Sequence, residues 1–374
     1  MGRTFDRAVS TPSMDAAIVN NILLNGRMDV SNENGTTQIT LANNVTKYTV
    51  DQFTGYYFHT AATAVIKAQQ VAPPGSPAFG AGFSNCLQMT ATTAHAMAGA
   101  SDVAYLTQPI EGLRLARLGF GNATNPQYVT VGFWVYATIA GTMTVSLVNA
   151  AVNRTYLQNV TINAAATWEY KTITFLGDTT GTWVATNALA ATLRFCFGSG
   201  TGAQGSNNVW NAANYASTSS TTNFFASNNN TVCITGVGMW AGTDAPTAAK
   251  SPLAFRSFGE EFTLCQRYYQ KTFAHGVTPA QNAGFTDSLV GVAASSSAGA
   301  ISYRVYFAPV LRAAPTFTTY NTNAADADWW DTNASASRAA VAAELTTVGV
   351  RLVMNAASTI GAQHFINWVA NARL

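Results

Sequence analysis

Alternating apolar and polar side chains in residues 127–183 constrain the fold most. The apolar positions of the first two runs are Val129, Val131, Phe133 and Val135, then Met143, Val145 and Leu147. A period of two places successive side chains on opposite faces of a strand. Because the two runs flank a short loop that ends at Gly141, they predict a β-hairpin. The alternation continues at 160–162 and 173–175 and predicts a β-sandwich.

Two helices interrupt this strand pattern. Apolar residues at helical spacing in 258–271 predict an amphipathic helix that links two domains. A second apolar stripe follows the helix-start sequence Thr11-Pro12-Ser13 and ends near Gly26. Segments 301–309, 316–320, 348–354 and 364–370 predict a smaller C-terminal sandwich. The expected fold is therefore all-β: two β-sandwich, jelly-roll-like domains with a short N-terminal helix and a short linker helix.

The composition excludes several classes of function. Only 10% of the residues are charged, the net charge is +2, and the basic residues are scattered. Nucleic-acid binding needs a concentrated basic face, so it is not expected. No apolar run approaches the roughly 18 residues that a membrane-spanning helix needs. A surface with so few charges is poorly protected against association, so an oligomer is expected.

Motifs for a cofactor, a metal or a nucleophile are missing or unconvincing. Residues 200–205 fit GxGxxG, but no helical pattern follows and the next acidic residue is Asp244. The N-terminus lacks the apolar core of a signal peptide. The four cysteines have no CxxC spacing, which favours free buried thiols over disulfides or a zinc site. The histidines are dispersed. No cofactor and no metal are predicted.

Several segments carry a resemblance to a known family. WEYKTITFLGDTTGTW at 168–183 resembles a jelly-roll module of tail-fibre, tail and head-fibre proteins of tailed bacteriophages. The similarity continues in 193–225, 232–246 and FRSFGEEFTLCQRYYQKT at 255–272, with the family's opening at 21–35 and 48–53. Residues 56–109 and about the last hundred match loosely. The resemblance implies a carbohydrate-binding-module-like sandwich, a C-terminal β-domain, location in the virion and a homotrimer.

The predicted organisation has three parts: an N-terminal virion-attachment segment at 1–40, the carbohydrate-binding-module-like sandwich at 41–250, and the linker helix with the C-terminal sandwich at 251–374. The candidate attachment residues are Ile18, Val19, Ile22 and Leu23. Fibre proteins usually attach through their N-terminal end, so this stripe is interpreted as an anchor to other virion proteins. The alternative is that it packs on its own sandwich.

The first candidate glycan site lies in a long polar segment at 198–230. Trp210, Asn211, Asn214 and Tyr215 combine aromatic rings, which stack on the C–H faces of sugars, with amides that bond hydroxyls. A loop of this length is usually functional or disordered. The alternative is that Trp210 and Tyr215 fix the loop to the sandwich, because this stretch is part of the family resemblance.

The second candidate site is a predicted loop at 323–333. Asp328, Trp329 and Trp330 are its candidate glycan contacts, beside Asp326 and Asp331. The aspartates could bind sugar, hold Ca²⁺ through oxygen ligands, or keep the loop soluble. Two adjacent tryptophans are costly to expose unless they meet a partner, which is a glycan or a neighbouring subunit.

These observations predict a non-enzymatic bacteriophage appendage that binds a host-surface polysaccharide through loops on β-sandwiches. The low charge favours a neutral or mixed glycan. The alternative is a purely structural virion decoration or connector protein. A minor alternative is a glycan depolymerase that uses Asp328 and Asp331, since glycoside hydrolysis needs two carboxyl groups about 5 to 10 Å apart.

Overall fold

The computed structural model describes residues 18, 20–60, 64–75 and 82–374. It divides the chain into two compact units. Unit 1 comprises the described residues up to Asp29, Thr40–Lys47 and Phe53–Ser257. Unit 2 comprises Val30–Ile39, Tyr48–Gln52 and Phe258–Leu374. The sequence did not indicate that two short N-terminal segments belong with the C-terminal unit.

Unit 1 is a jelly-roll-like β-sandwich. Its first sheet has the strand order β1-β4-β5-β13-β7-β10. The bounds are β1 Ile39–Thr40, β4 Val65–Val71, β5 Cys86–Thr93, β7 Val129–Ala137, β10 Glu169–Phe175 and β13 Thr231–Ala241. The apolar positions that alternate along β7 are all fully buried. The predicted core face is therefore confirmed.

The second sheet of unit 1 contains the order β12-β9-β8-β11-β6-β3. The bounds are β3 Phe53–Phe58, β6 Val103–Glu111, β8 Gly141–Asn149, β9 Thr155–Ile162, β11 Leu189–Ser199 and β12 Trp210–Asn211; a short strand, β2 (Lys47–Val50), precedes β3. A helical turn, α1 (Gly112–Leu115), follows β6. The inner face of β8 is fully buried at Met143, Val145 and Leu147.

The predicted hairpin between β7 and β8 is wrong. β7 pairs with β10 and β13 in the first sheet, whereas β8 pairs with β9 and β11 in the second. Both strands have one continuous apolar face. A sandwich buries two such faces by placing the strands in opposite sheets, so the short connection crosses between the sheets. The hairpin partner of β8 is β9.

The segment after the predicted N-terminal helix is part of the core of unit 1. The start of that helix lies outside the described residues; Ile18 and Asn20 are helical, and the helix does not continue from Asn21. The backbone N–H of Ile22 donates to the carbonyl of Met239, 2.8 Å away.

Gly26 accepts a hydrogen bond from the N–H of Val237 on β13. A Cβ on Gly26 would lie 2.0 Å from the Val237 carbonyl oxygen, so glycine allows the close approach of the two backbones.

The predicted linker helix is confirmed as α2 (Phe258–Gln266), which is shorter than the pattern indicated because Tyr269–Lys271 is a strand, β14. Among the described residues, no helix is long and apolar enough to cross a membrane. All four cysteines are buried thiols and none is in a disulfide, as predicted.

Unit 2 is the smaller sandwich. Its larger sheet has the order β14-β22-β18-β19, and β15 and β17 also pair with β22; a three-stranded sheet has the order β16-β21-β20. The bounds are β15 Leu289–Val292, β16 Ser302–Tyr306, β17 Thr316–Tyr320, β18 Trp329–Asp331, β19 Ala336–Arg338, β20 Ala340–Ala343, β21 Gly349–Met354 and β22 Gln363–Asn371. Ile366 on β22 and Leu352 on β21 belong to one buried cluster, so apolar packing joins the two sheets.

Candidate functional site

The candidate site lies on the outer face of the second sheet of unit 1, opposite the core. Along β11, Leu193, Phe195 and Phe197 are fully buried. Because successive side chains point to opposite faces, Arg194 and Cys196 belong to the outer face. The antiparallel register extends this face to the alternate positions of β6 and β3.

Three planar groups stack side by side across β3, β6 and β11. Tyr56 is paired with Tyr105, and their ring centroids are 4.9 Å apart with 20° between the planes. The guanidinium carbon of Arg194 lies 5.4 Å from the centroid of the Tyr105 ring. Since β6 lies between β3 and β11, Tyr56 and Arg194 contact Tyr105 from opposite sides. We call these three residues the outer-face stack.

Burial determines the protonation of the outer-face stack. Burial raises the pKa of Tyr105 to about 12, although the neighbouring Arg194 cation acts in the opposite direction. Burial also raises the pKa of Tyr56 and lowers the pKa of Arg194 from its ordinary value. Arginine nevertheless keeps its proton in proteins. At neutral pH the face therefore presents neutral phenol groups beside one cation.

Part of the hydrogen-bonding capacity of the two tyrosine hydroxyls is unused. The Tyr56 hydroxyl donates to Oδ1 of Asn44 at 2.8 Å. Among the described residues, the Tyr105 hydroxyl has no hydrogen-bond partner. Its oxygen is not fully buried. It therefore reaches solvent and is available to a ligand.

A polar loop borders the stack. We call residues 200–218 the wall loop. Its Ala216 packs with Cys196 in a buried cluster that the rings of Tyr56 and Tyr105 border. Oδ1 of Asn214, an exposed wall-loop residue, accepts a hydrogen bond of 2.7 Å from Nη1 of Arg194. The loop and the stack together form a surface that combines aromatic rings, hydroxyls, an amide and a guanidinium.

The predicted contact Trp210 lies in β12 and is half-buried. Its indole N–H donates to the carbonyl of Leu176 at 3.0 Å. Its ring is edge-on to Tyr156 at 5.4 Å and to Trp183 at 5.5 Å between centroids. These contacts match the structural alternative, in which Trp210 fixes the loop to the sandwich.

The remaining predicted loop residues divide between the two interpretations. The side-chain amide of Asn211 bonds the backbone of Ser206 as both donor and acceptor, which holds the turn. The Tyr215 ring lies against Gly205, where a Cβ would come within 2.3 Å of Tyr215 Cδ2. Of the four predicted residues in this region, Asn214 contacts the outer-face stack, through its hydrogen bond with Arg194.

A buried ion pair supports the Trp210 region. Asp178 is fully buried and accepts two hydrogen bonds from Arg154, at 3.0 Å from Nε and 2.5 Å from Nη2. It also accepts the indole N–H of Trp183 at 3.1 Å. The guanidinium carbon of Arg154 lies 5.6 Å from the Trp210 ring. The hydrogen bond with Asp178 raises the pKa of Arg154.

We expect Asp178→Asn to lower the free energy of unfolding by about 2 kcal/mol, because charge-assisted hydrogen bonds are lost from a buried position while the partly exposed Arg154 remains solvated. Chemical denaturation measures the change. Asp244→Asn, at an exposed carboxylate of the same unit, is the matched control and should change stability by less than about 0.5 kcal/mol. Equal effects of the two substitutions would contradict the structural role of Asp178.

The predicted placement of Trp329 and Trp330 on a loop is wrong. They lie in β18, where Trp329 is fully buried with Leu352 and Ile366 and Trp330 is half-buried. Alternation within the strand directs the first ring into the core. A ring in that position presents no face to a sugar, so Trp329 is not a glycan contact in this structure.

The aspartates near β18 accept hydrogen bonds from backbone and side-chain groups of unit 2. Asp328 accepts the N–H of Ala340 at 3.0 Å. Asp326 accepts a hydrogen bond of 2.7 Å from the side-chain amide of Asn321, and Asp331 accepts one of 3.1 Å from Nε of Arg338. Among the described residues, no group of three or more His, Cys, Asp or Glu is arranged to hold a metal ion.

The candidate attachment residues occupy different environments. Ile22 and Leu23 are each 1% exposed in the core of unit 1. Ile18 is half-buried, and Val19 lies outside the described residues. The burial of Ile22 and Leu23 matches the alternative that this stripe packs on its own sandwich, and attachment to a virion stays a prediction.

The outer-face stack was not predicted, although the sequence carries one signal of it. Arg194 is a single charged residue in LRFCF, between apolar residues that a strand buries on its opposite face. The two tyrosines, in contrast, are 49 positions apart, and only the register of β3 and β6 brings them together. No local pattern could have indicated this pairing.

No family model matches this chain, and no curated protein matches it. Solved structures with similar folds include the enzymatically active domain of tailspike protein 4 of bacteriophage CBA120, with 13% identity, a TM-score of 0.28 and coverage of 59% of this chain and 21% of that one. TmCBM61 in complex with β-1,4-galactotriose has 10% identity, a TM-score of 0.29 and coverage of 59% and 98%. The family 11 carbohydrate-binding module from Clostridium thermocellum, in complex with a mixed-linked tetrasaccharide, has 9% identity, a TM-score of 0.26 and coverage of 56% and 98%. The chain thus spans about a fifth of the tailspike chain. At these identities and TM-scores, the likenesses do not indicate what this chain binds.

Proposed function

We propose that this chain is a non-catalytic glycan-binding subunit of a bacteriophage appendage, and that the outer-face stack binds a sugar of the host surface. The observation that carries the proposal is the stack itself, with the solvent-reaching hydroxyl of Tyr105 and the guanidinium of Arg194 beside the exposed amide of Asn214. Aromatic surfaces with a few placed polar groups suit sugar rings, which have apolar C–H faces and hydroxyl rims.

The site sits on rigid elements, which suits repeated weak binding. Tyr56, Tyr105 and Arg194 belong to strands of one sheet, so their separation is set by backbone hydrogen bonding. A single site of this size is expected to bind weakly. In a homotrimer, or in several copies on one particle, linked sites raise the overall affinity without new contacts. The virion location and the trimer come from the family resemblance.

The principal alternative is a structural virion subunit without receptor binding. Large apolar side chains of unit 2 are exposed, including Tyr306 at 70% and Ile360 at 67%. With 10% charged residues, such a surface favours contact with neighbouring subunits. The structure is compatible with either function, so a binding measurement must decide between them.

Tyr56→Ala and Tyr105→Ala each test the glycan-binding proposal. We expect the purified chain to bind polysaccharide from its host, and each substitution to weaken that binding at least about tenfold, which corresponds to 1.4 kcal/mol. Isothermal titration or glycan-array binding gives the affinity. Tyr105→Phe keeps the ring and removes the hydroxyl, so it separates hydrogen bonding from packing.

Tyr128→Ala, at a tyrosine that is 47% exposed in the same unit, is the matched control and should keep wild-type affinity. A wild-type chain that is folded yet binds no host glycan would contradict the glycan-binding proposal and favour the structural virion subunit. Release of reducing ends from the polysaccharide would instead support the depolymerase alternative.

A further inference from the structure

Arg194 is a buried cation that has no acidic partner among the described residues. On the neighbouring strands, Arg194 is paired with Thr107 of β6 and with Ser146 of β8. The residue is only 8% exposed. Among the described residues it forms no ion pair, and its one hydrogen bond goes to the neutral Asn214. Buried charges in proteins are normally paired, because desolvation of an ion is costly.

The segment that follows Arg194 does not supply the missing charge. No charged residue occurs between Arg194 and Asp244, so the whole wall loop is neutral. The Tyr105 ring stabilises the guanidinium through a cation–π contact, but a neutral phenol does not balance its charge. A counter-charge for Arg194 therefore does not come from this loop.

The guanidinium retains donors that an external anion can reach. Nη1 is bonded to Asn214. Nε and Nη2 have no hydrogen-bond partner among the described residues, and neither nitrogen is fully buried. Both atoms therefore keep some accessible surface, on a residue that is 8% exposed as a whole. They lie on one edge of the planar guanidinium, which is the edge that binds a carboxylate or phosphate through two parallel hydrogen bonds.

We propose that the sugar bound at the outer-face stack carries an anionic group, a carboxylate or a phosphate ester, which pairs with Nε and Nη2 of Arg194. This inference rests on the proposed glycan binding and narrows the neutral or mixed glycan that the low charge favoured to one that carries an anionic group. The rings of Tyr56 and Tyr105 contact the sugar, and Arg194 selects for its charge. The wall loop lacks acidic residues, so it does not repel such a ligand.

The first test compares acidic polysaccharides with neutral counterparts of the same backbone. A uronate-containing polysaccharide and its carboxyl-reduced form make one pair, and a phosphomannan before and after phosphatase treatment makes the other. We expect at least tenfold tighter binding to the charged member of one pair, with a preference that declines as salt is raised. The pair that shows the preference identifies the anion.

Two variants assign the preference to Arg194. In Arg194→Gln, the preference for the charged member should disappear, so that the charged and neutral members of the pair bind with equal affinity. Asn214→Asp is nearly isosteric at an exposed position and places a carboxylate against the guanidinium. It should raise the melting temperature and weaken binding of the charged glycan at least tenfold, because the internal carboxylate competes with the ligand.

The outcomes separate this inference from the function on which it rests. Equal binding to both members of each pair, or a preference that persists in Arg194→Gln or in Asn214→Asp, would overturn the anionic ligand and leave glycan binding intact. Absence of binding to every charged and neutral glycan would overturn both. If Arg194→Gln does not fold, Asn214→Asp alone decides, since its substitution site is on the surface.

Discussion

Trp329→Ala should destabilise unit 2 by about 3–5 kcal/mol, because it removes a large, fully buried ring and leaves a cavity. The ring packs in a cluster that includes Ile301, Leu352 and Ile366. These side chains come from both sheets of the unit, so little local rearrangement can refill the space. Urea denaturation followed by circular dichroism measures the loss.

Trp330→Ala is the matched control, since it removes the same ring from the next position of the same strand. Trp330 is half-buried, and we expect its loss to cost about 1–2 kcal/mol. Trp329→Phe adds a second comparison. The indole nitrogen of Trp329 is buried without a partner among the described residues, so the phenyl ring loses volume but also removes an unsatisfied donor. Its cost should fall between the two alanine variants.

Equal destabilisation by Trp329→Ala and Trp330→Ala would contradict the burial of Trp329 and restore the interpretation of a loop with two exposed rings. Glycan affinity should be unchanged in Trp330→Ala if the outer-face stack in unit 1 is the binding site. A loss of glycan binding in that folded variant would place the site in unit 2 instead.

The tryptophan pair illustrates how far the sequence determines the fold. Long strands such as β7 show several consecutive alternations, and their core faces were predicted correctly. β18 has only three residues, which is too short for a period of two to be visible. The surrounding aspartates and asparagine suggested a loop, although they bind the turns on either side of a strand.

Pairing between strands was the information that the sequence lacked. The alternation in β7 and β8 identified two strands, but the same pattern fits a hairpin and a crossing between sheets. The candidate site depends on pairing even more strongly, since Tyr56, Tyr105 and Arg194 come from three strands. Asn214 was predicted because it lies in a polar segment with aromatic residues, and that segment could be identified without knowing any register.

A buried ionic cluster in unit 2 illustrates the same dependence on long-range pairing. Arg373 forms an ion pair with Glu33, and its Nη2 lies 3.7 Å from Oδ1 of Asp51. Its guanidinium carbon is 3.8 Å from the centroid of the Tyr269 ring and 4.4 Å from that of Tyr48. The cluster thus joins the C-terminal residues to the two N-terminal segments of unit 2.

We expect Arg373→Met to lower the free energy of unfolding of unit 2 by about 3–5 kcal/mol, because it leaves the carboxylate of Asp51 buried without this cation. Arg351→Met is the matched control. Arg351 is 42% exposed and pairs with Glu344, which is 58% exposed, so its loss should cost less than about 1 kcal/mol. Denaturant titration at neutral pH compares the two.

The pH dependence of the Arg373→Met variant gives a sharper test. Burial raises the pKa of Asp51 above its ordinary value, and Arg373 opposes that rise. Without the cation the folded-state pKa of Asp51 increases further, so the folded state holds a proton that the unfolded state releases above about pH 4. Stability must then fall as the pH increases from the unfolded pKa to the folded pKa. We expect the variant to be closest to wild type near pH 4 and to diverge toward neutral pH, and Asp51→Asn in the same chain should remove that divergence, because an amide does not titrate. A difference between Arg373→Met and wild type that is independent of pH would show that Arg373 acts through packing on Tyr48 and Tyr269 and not through its charge.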